Sequence, residues 1–413
     1  MKKIIATLLI ALVVFVSCNQ ESNSPDEISN IELDEKSSQL IEADNELGFE
    51  LFQKINSEAE DENLMISPLS VSVALAMAYN GADGDTKSEM EQTLKVFGLS
   101  TEEINASYQF LINALQSLDE DVVFELANAI FYEKTFSVKS AFLGVNENIY
   151  NAEVSGLDFS NPSAVETINN WVADKTNHKI ETIIDQLDPM DVMVLLNAVY
   201  FNGIWQTKFD DEGTHELPFL KNNGTVIDVA MMNKEDKVEY TSNDFFSAVQ
   251  LPYGTGQYKM VVFLPASGKN SDDIINSLSV SNWKNWMESF QEKEHVVVTM
   301  PRFKYRYELE LNDVLKEMGM VKAFSDQNAN FSKISDIFIY ISSVIHKTYI
   351  DVNENGTEAA AVTAITFSTT SAGPEQAQKI YFTVDKPFVY VIIEKDTNAI
   401  LFIGEVTHPI YED

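Results

Sequence analysis

Asp351-Val352-Asn353-Glu354-Asn355-Gly356-Thr357-Glu358-Ala359-Ala360-Ala361 is the stretch that decides how this chain is read. It opens a segment, 354–379, without helical periodicity, set between apolar, β-branched runs at 344–352 and 388–393 that predict strands. A loop of about 25 residues inside a compact domain is usually functional or disordered. Its composition is not that of a linker. Thr357, Val362, Thr363, Ile365, Thr366, Phe367, Thr369 and Thr370 suit a strand, and Ala359, Ala360 and Ala361 are small. The segment therefore reads as a loop able to become a strand. Period-two alternation would put Thr357, Ala359, Ala361, Thr363, Ile365 and Phe367 on one face, which can be buried without stranding a charge, and Glu358 on the other. The opening residues also match the first half of a calcium loop, but its twelfth position is Val362 instead of a bidentate glutamate, so no metal is expected.

Outward from this stretch the second half of the chain predicts further strands at 194–201, 258–264, 295–300 and 400–406. The first half reads as mostly helical. Ser67-Pro68-Leu69-Ser70 supplies a cap and first turn for a helix ending before Gly81, and 169–180 has a similar pattern. Helices followed by strands predict an α+β fold. With no repeat and no Pro/Gly/Ser-rich linker after Asn45, the expectation is a single domain over 45–413.

The N-terminus carries Lys2 and Lys3, an apolar run over 4–16 too short for a membrane span, and then Ser17 and Cys18. Phe15-Val16-Ser17-Cys18 resembles a bacterial lipobox with Phe15 in place of the commoner leucine. That predicts a signal peptide over 1–17, lipidation of Cys18, a flexible polar tether over 18–44, and location at a bacterial cell envelope. As the chain's one cysteine, Cys18 leaves no internal disulfide. The formal net charge of -36 opposes binding to nucleic acid or to an anionic membrane. No Gly-x-Ser-x-Gly, His-Glu-x-x-His or phosphate-binding glycine loop occurs, the five histidines are scattered, and Ser281-Asn282-Trp283-Lys284 lacks companion motifs. An enzyme is not expected, nor any cofactor.

His346-Lys347 followed by the 351–361 stretch resembles the hinge signature of the serpins, the serine protease inhibitors. The resemblance continues through Ile66-Ser67-Pro68-Leu69-Ser70, Gly81-Ala82, Asn169-Asn170-Trp171-Val172, Lys179-Ile180, Asn197-Ala198-Val199-Tyr200-Phe201-Asn202-Gly203-Ile204-Trp205, Leu251-Pro252-Tyr253 and Asp385-Lys386-Pro387-Phe388. It implies three β-sheets, eight or nine helices, and a metastable fold with an exposed reactive-centre loop at about 355–379. It further implies a suicide-type inhibitor: a target protease cleaves the loop, is held as an acyl-enzyme, and is dragged as the loop enters the main sheet.

By the same resemblance Glu354, Gly356, Thr357, Glu358, Ala359, Ala360 and Ala361 form the hinge. Ser67, Ser70, Asn197, Trp205 and His346 line the place where the sheet parts, and Arg302 pairs with Glu354 in a surface ion pair worth about 0 to 1 kcal/mol. Seventeen residues counted from Glu354 put the scissile bond at Thr370-Ser371, with Thr369 and Phe367 as alternatives. No Lys or Arg lies between Lys347 and Lys379, so the expected partners are elastase-like or subtilisin-like serine proteases, or a cysteine protease, met by a monomer. The competing expectation is a non-inhibitory member that serves as a binding or chaperone-like module.

Overall fold

The computed structural model describes residues 30–59, 61–188, 190–358 and 379–411. The chain begins with α1 (Glu35–Glu58), β1 (Leu64–Ile66), α2 (Pro68–Tyr79), α3 (Gly84–Thr93) and α4 (Thr101–Gln116). Next come β2 (Val122–Glu133), α5 (Ser140–Ile149), β3 (Glu153–Leu157), α6 (Ser163–Lys175) and β4 (Met193–Ile204). β5 (His215–Leu220), β6 (Val226–Ser242), β7 (Phe246–Tyr253) and β8 (Tyr258–Pro265) precede α7 (Ser271–Ile275) and α8 (Val280–Ser289). The chain then runs through β9 (Gln291–Pro301), β10 (Phe303–Glu310), α9 (Asn312–Glu317), β11 (Ile345–Asn353) and β12 (Gly356–Thr357). β13 (Ile380–Thr383), β14 (Phe388–Glu394) and β15 (Ile400–Val406) close it.

The α+β expectation holds. One sheet has the order β10-β11-β12-β4-β2-β3; the other links β1-β15-β14-β8-β7-β6-β9-β13, with β5 beside β6. β6 joins two parts of the larger sheet, pairing with β5 and β9 early and with β7 at its end, and its ladder to β9 slips between Asp236 and Val238. The described residues thus form two sheets where the resemblance implies three, because β6 pairs with β5, β9 and β7 and joins their strands into one. α2 lies beneath the six-stranded sheet, and its N-cap Ser67 and N1 Pro68 start it where the sequence placed it. α6 packs on the opposite face, burying Ile168, Trp171 and Val172 against Phe131, Leu196 and Ala198.

Two expectations are corrected. Residues 35–44 are not tether but the first turns of α1. Asp34 caps the helix by accepting from the Ser37 amide at 2.7 Å, and Leu40, Ile41, Leu47, Leu51, Phe52 and Ile55 form its buried face. Averaged composition saw the acidic outer face and missed this stripe. In the helix-rich first half, β2 is a twelve-residue strand whose inward positions Val122, Phe124, Leu126, Asn128 and Ile130 are buried. The helix expected over 169–180 is α6, which stops at Lys175; Asn177 and His178 follow with φ of 48° and 60° and turn the chain.

Candidate functional site

The site is built where β4 and β11 meet. Both run toward the same end, and among the described residues they share no ladder with each other; each pairs antiparallel with the two-residue β12. Gly356 pairs with Asn353 and Ile204, and Thr357 with Val352 and Gly203. Only glycine fits at 356: a Cβ there would lie 2.1 Å from the Gly203 carbonyl oxygen. Thr357 faces the core. Its hydroxyl shares a 2.6 Å hydrogen bond with the Tyr253 hydroxyl, and Tyr253 stacks on Trp205 with ring centroids 4.3 Å apart.

Trp205 fixes the turn before β12. Its indole N–H donates to the Asn353 carbonyl and its amide to the Asn355 carbonyl, both at 2.9 Å, while the Phe209 amide donates to the Glu354 carbonyl. The Glu354 carboxylate accepts from Arg302 Nε at 2.7 Å and from the Thr214 hydroxyl. Glu354 is 2% exposed, so the expected surface ion pair is instead a buried carboxylate held by a partly exposed guanidinium. Removing one partner of such a pair strands the other, which is costlier than losing a surface pair.

Glu358 ends the described hinge, and it too departs from expectation. The outward face of the sheet is covered here, and the Glu358 side chain is 3% exposed, paired with Lys179 at 2.7 Å. Burial pushes its carboxyl pKa up and the Lys179 ammonium opposes the shift. The φ of Glu358 is 63°, a left-handed value that costs a non-glycine residue about 1–2 kcal/mol, so the chain leaves extended geometry directly after β12.

Midway along the sheet a second group of predicted residues comes together. His346 Nε2 accepts from the Ser67 amide at 3.0 Å, Ser67 Oγ accepts from the Ser70 amide, and the Ser70 hydroxyl donates to Asn197 Oδ1. Since His346 stands on β11 and Asn197 on β4, α2 joins from below two strands that share no ladder among the described residues. Burial with no countercharge lowers the His346 pKa to about 4, so the ring is neutral and Nε2 is free to accept.

Asn128 extends this group and escaped the sequence reading. It accepts from Asn197 Nδ2 at 2.7 Å and donates to the Tyr150 carbonyl at 2.7 Å. A polar residue at an inward position of the alternating run 122–130 was the available signal. Lys179, Thr214 and Tyr253 were missed as functional partners because their roles depend on contacts distant in sequence. Ala359, Ala360, Ala361, Phe367, Thr369, Thr370, Ser371 and Cys18 lie outside the described residues. Among those described, no group of three or more His, Cys, Asp or Glu could hold a metal ion.

The geometry is that of a sheet holding the two-residue β12 between β11 and β4, and the comparisons say what kind of protein carries it. The family model described as Serpin (serine protease inhibitor) matches residues 42–409. An uncharacterized serpin-like protein of Thermococcus kodakarensis is 35% identical, covering 90% of this chain and 86% of its own. The native-state structure of the thermophilic serpin tengpin aligns at a TM-score of 0.81 with 34% identity, covering 92% of this chain and 96% of its own. Human thyroxine-binding globulin, solved in complex with thyroxine, aligns at 0.81 with 28% identity over 91% of this chain and 100% of its own. By the extent of these matches, the chain belongs to the serpin family.

Proposed function

We propose that this serpin is an irreversible, suicide-substrate inhibitor of serine proteases. The observation that carries the reading is β12, seated between β11 and β4 and antiparallel to both, with its small residues inward. A ladder continuing this register would bring Ala359, Ala361 and Thr363 inward opposite Phe201, Val199 and Asn197 on one side and Ile350, Thr348 and His346 on the other. Thr363 would bring a hydroxyl to the polar group formed by His346, Ser70 and Asn197. Ten further residues of ladder, at about 0.5–1.5 kcal/mol net per hydrogen bond, supply on the order of 10 kcal/mol to pull a tethered protease.

In the covalent step the protease's serine oxygen attacks the Thr370 carbonyl carbon. The Thr370–Ser371 amide bond breaks, Ser371 leaves as a protonated amine, and an ester joins the loop to the protease. Insertion then competes with hydrolysis of that ester. Thr370 before the cut, and the absence of Lys or Arg from 348 to 378, suit elastase-like or broad subtilisin-like proteases. Acylated Cys18 would hold the inhibitor at the cell envelope, a part of the proposal that rests on Phe15-Val16-Ser17-Cys18 alone.

Incubation with pancreatic or neutrophil elastase tests the reading. The expected result is an adduct that survives denaturing electrophoresis, with a released peptide beginning at Ser371. Clean turnover of the loop without adduct contradicts inhibition and favours a binding module.

A further inference from the structure

The acids of α1 stand toward solvent with one exception: Asp44 is 4% exposed and enclosed by α1, α2 and α4. Its Oδ1 accepts from the Tyr108 hydroxyl of α4 at 2.7 Å. Its Oδ2 has no hydrogen-bond partner, and neither has the hydroxyl of Ser72, fully buried on α2. A buried carboxylate with a single donor and no countercharge is costly, and such a group keeps its proton instead.

The groups facing Asp44 supply no positive charge. α4 brings Tyr108, the chain after α5 brings Tyr150, whose ring centroid lies 6.0 Å from that of Tyr108, and α2 brings only the uncharged Ser72. β1, β15, α7, α8 and α9 also pack on α1, but none of their charges, Glu405, Asp272, Glu288 and Glu317 among them, acts on Asp44. Burial therefore pushes the Asp44 carboxyl up from 3.8 to about 7, with Tyr108 and Ser72 opposing the shift.

α2 is polar on two sides. Ser70 donates to Asn197 of β4, and Ser72, two residues on and so about 200° around the helix, lies toward Asp44. We propose that Asp44 is a buried acid switch for the seating of α2: as the neutral acid it lets α1, α2 and α4 pack firmly, and its ionisation leaves an unpaired charge among them that loosens α2. The switch needs no protease and would operate in a non-inhibitory serpin alike. Below pH 3.8 the carboxyl is neutral whether the chain is folded or unfolded. Between 3.8 and about 7 the folded chain keeps a proton that the unfolded chain has lost, so stability falls as pH rises through this window and levels off above it.

Urea unfolding of the parent and Asp44→Asn from pH 5 to 8.5 tests the switch. Asparagine stands in for the neutral acid, so the unfolding constant of the parent relative to the variant should rise about a hundredfold from pH 5 to 8 and then level off. Glu405 and His346 titrate in both proteins and cancel. Amides of α2 should be less protected from hydrogen exchange in the parent than in the variant at pH 8, and equally protected at pH 5. Should Asp44→Asn not fold, Tyr108→Phe takes its place. Loss of a donor to the charged form moves ionisation to higher pH, so the stability of this variant relative to the parent should be constant below pH 6 and its unfolding constant should rise at least about threefold by pH 8.5. A parent-to-variant ratio that does not change with pH overturns the switch, as does α2 protection that differs equally at pH 5 and 8.

Discussion

β14 and β11 are both strands in a protein core, yet they are held differently. β14 is buried throughout and laddered directly to β15 on one side and β8 on the other. β11 is laddered to β10 along its length, but on its other side the described residues give it only the two of β12. β4 has the same asymmetry, with eleven partners on β2 and two on β12. β14 is therefore fixed along both edges, whereas among the described residues β4 and β11 are joined only through β12, which is where the proposed insertion would part the smaller sheet. What keeps those strands in place is a set of side-chain contacts at the hinge and at α2.

The largest expected effect comes from Thr357→Arg. A guanidinium against the Tyr253–Trp205 stack would stall entry of the loop, turning inhibitor into substrate and raising the moles consumed per protease trapped by at least about tenfold. Titration against elastase measures it; unchanged trapping would mean that β12 is not where insertion starts. Next comes Arg302→Ala, which leaves the buried Glu354 carboxylate without its cation and should cost about 3 kcal/mol in urea unfolding. A loss below about 1 kcal/mol would return this pair to the surface class.

His346 tests the middle of the opening through pH. Its folded pKa of about 4 lies below the unfolded 6.5, so its stabilising contribution is fully present above pH 6.5 and is lost as pH falls toward 4. The stability difference between parent and His346→Gln should therefore fall by about 3 kcal/mol from pH 7 to 4. Asp44 and Glu405, each raised to about 7 by burial, titrate in the same window with the opposite sign, which is why the difference between the two proteins is the quantity to read. The smallest effect belongs to the closed sheet. Val391→Ala in β14 should cost about 2 kcal/mol of stability and leave the inhibitory stoichiometry as it was.

The hinge was legible in sequence because its requirements are local: a glycine at a close backbone approach, small alternating residues, and a loop too long to be a connection. The cap of α2 and the polar residues Ser67, Ser70, Asn197 and His346 could likewise be located, through the resemblance they carry. What escaped depended on distant contacts. Glu354 read as half of a surface ion pair and Glu358 only as a hinge residue on the alternate face, and only the fold brings Arg302, Thr214 and Lys179 to cover them. The start of α1 was lost for a related reason, since a helix with an acidic outer face resembles a tether until its apolar stripe is matched to a partner surface.

The central claim is that the sheet admits the loop between β4 and β11, and thermal unfolding before and after a single cut in the loop tests it most directly. Insertion adds on the order of 10 kcal/mol of ladder and burial, so cleaved protein should unfold higher by on the order of 15 °C. A cut that leaves the unfolding temperature unchanged, or lowers it as nicking an ordinary surface loop would, contradicts the account.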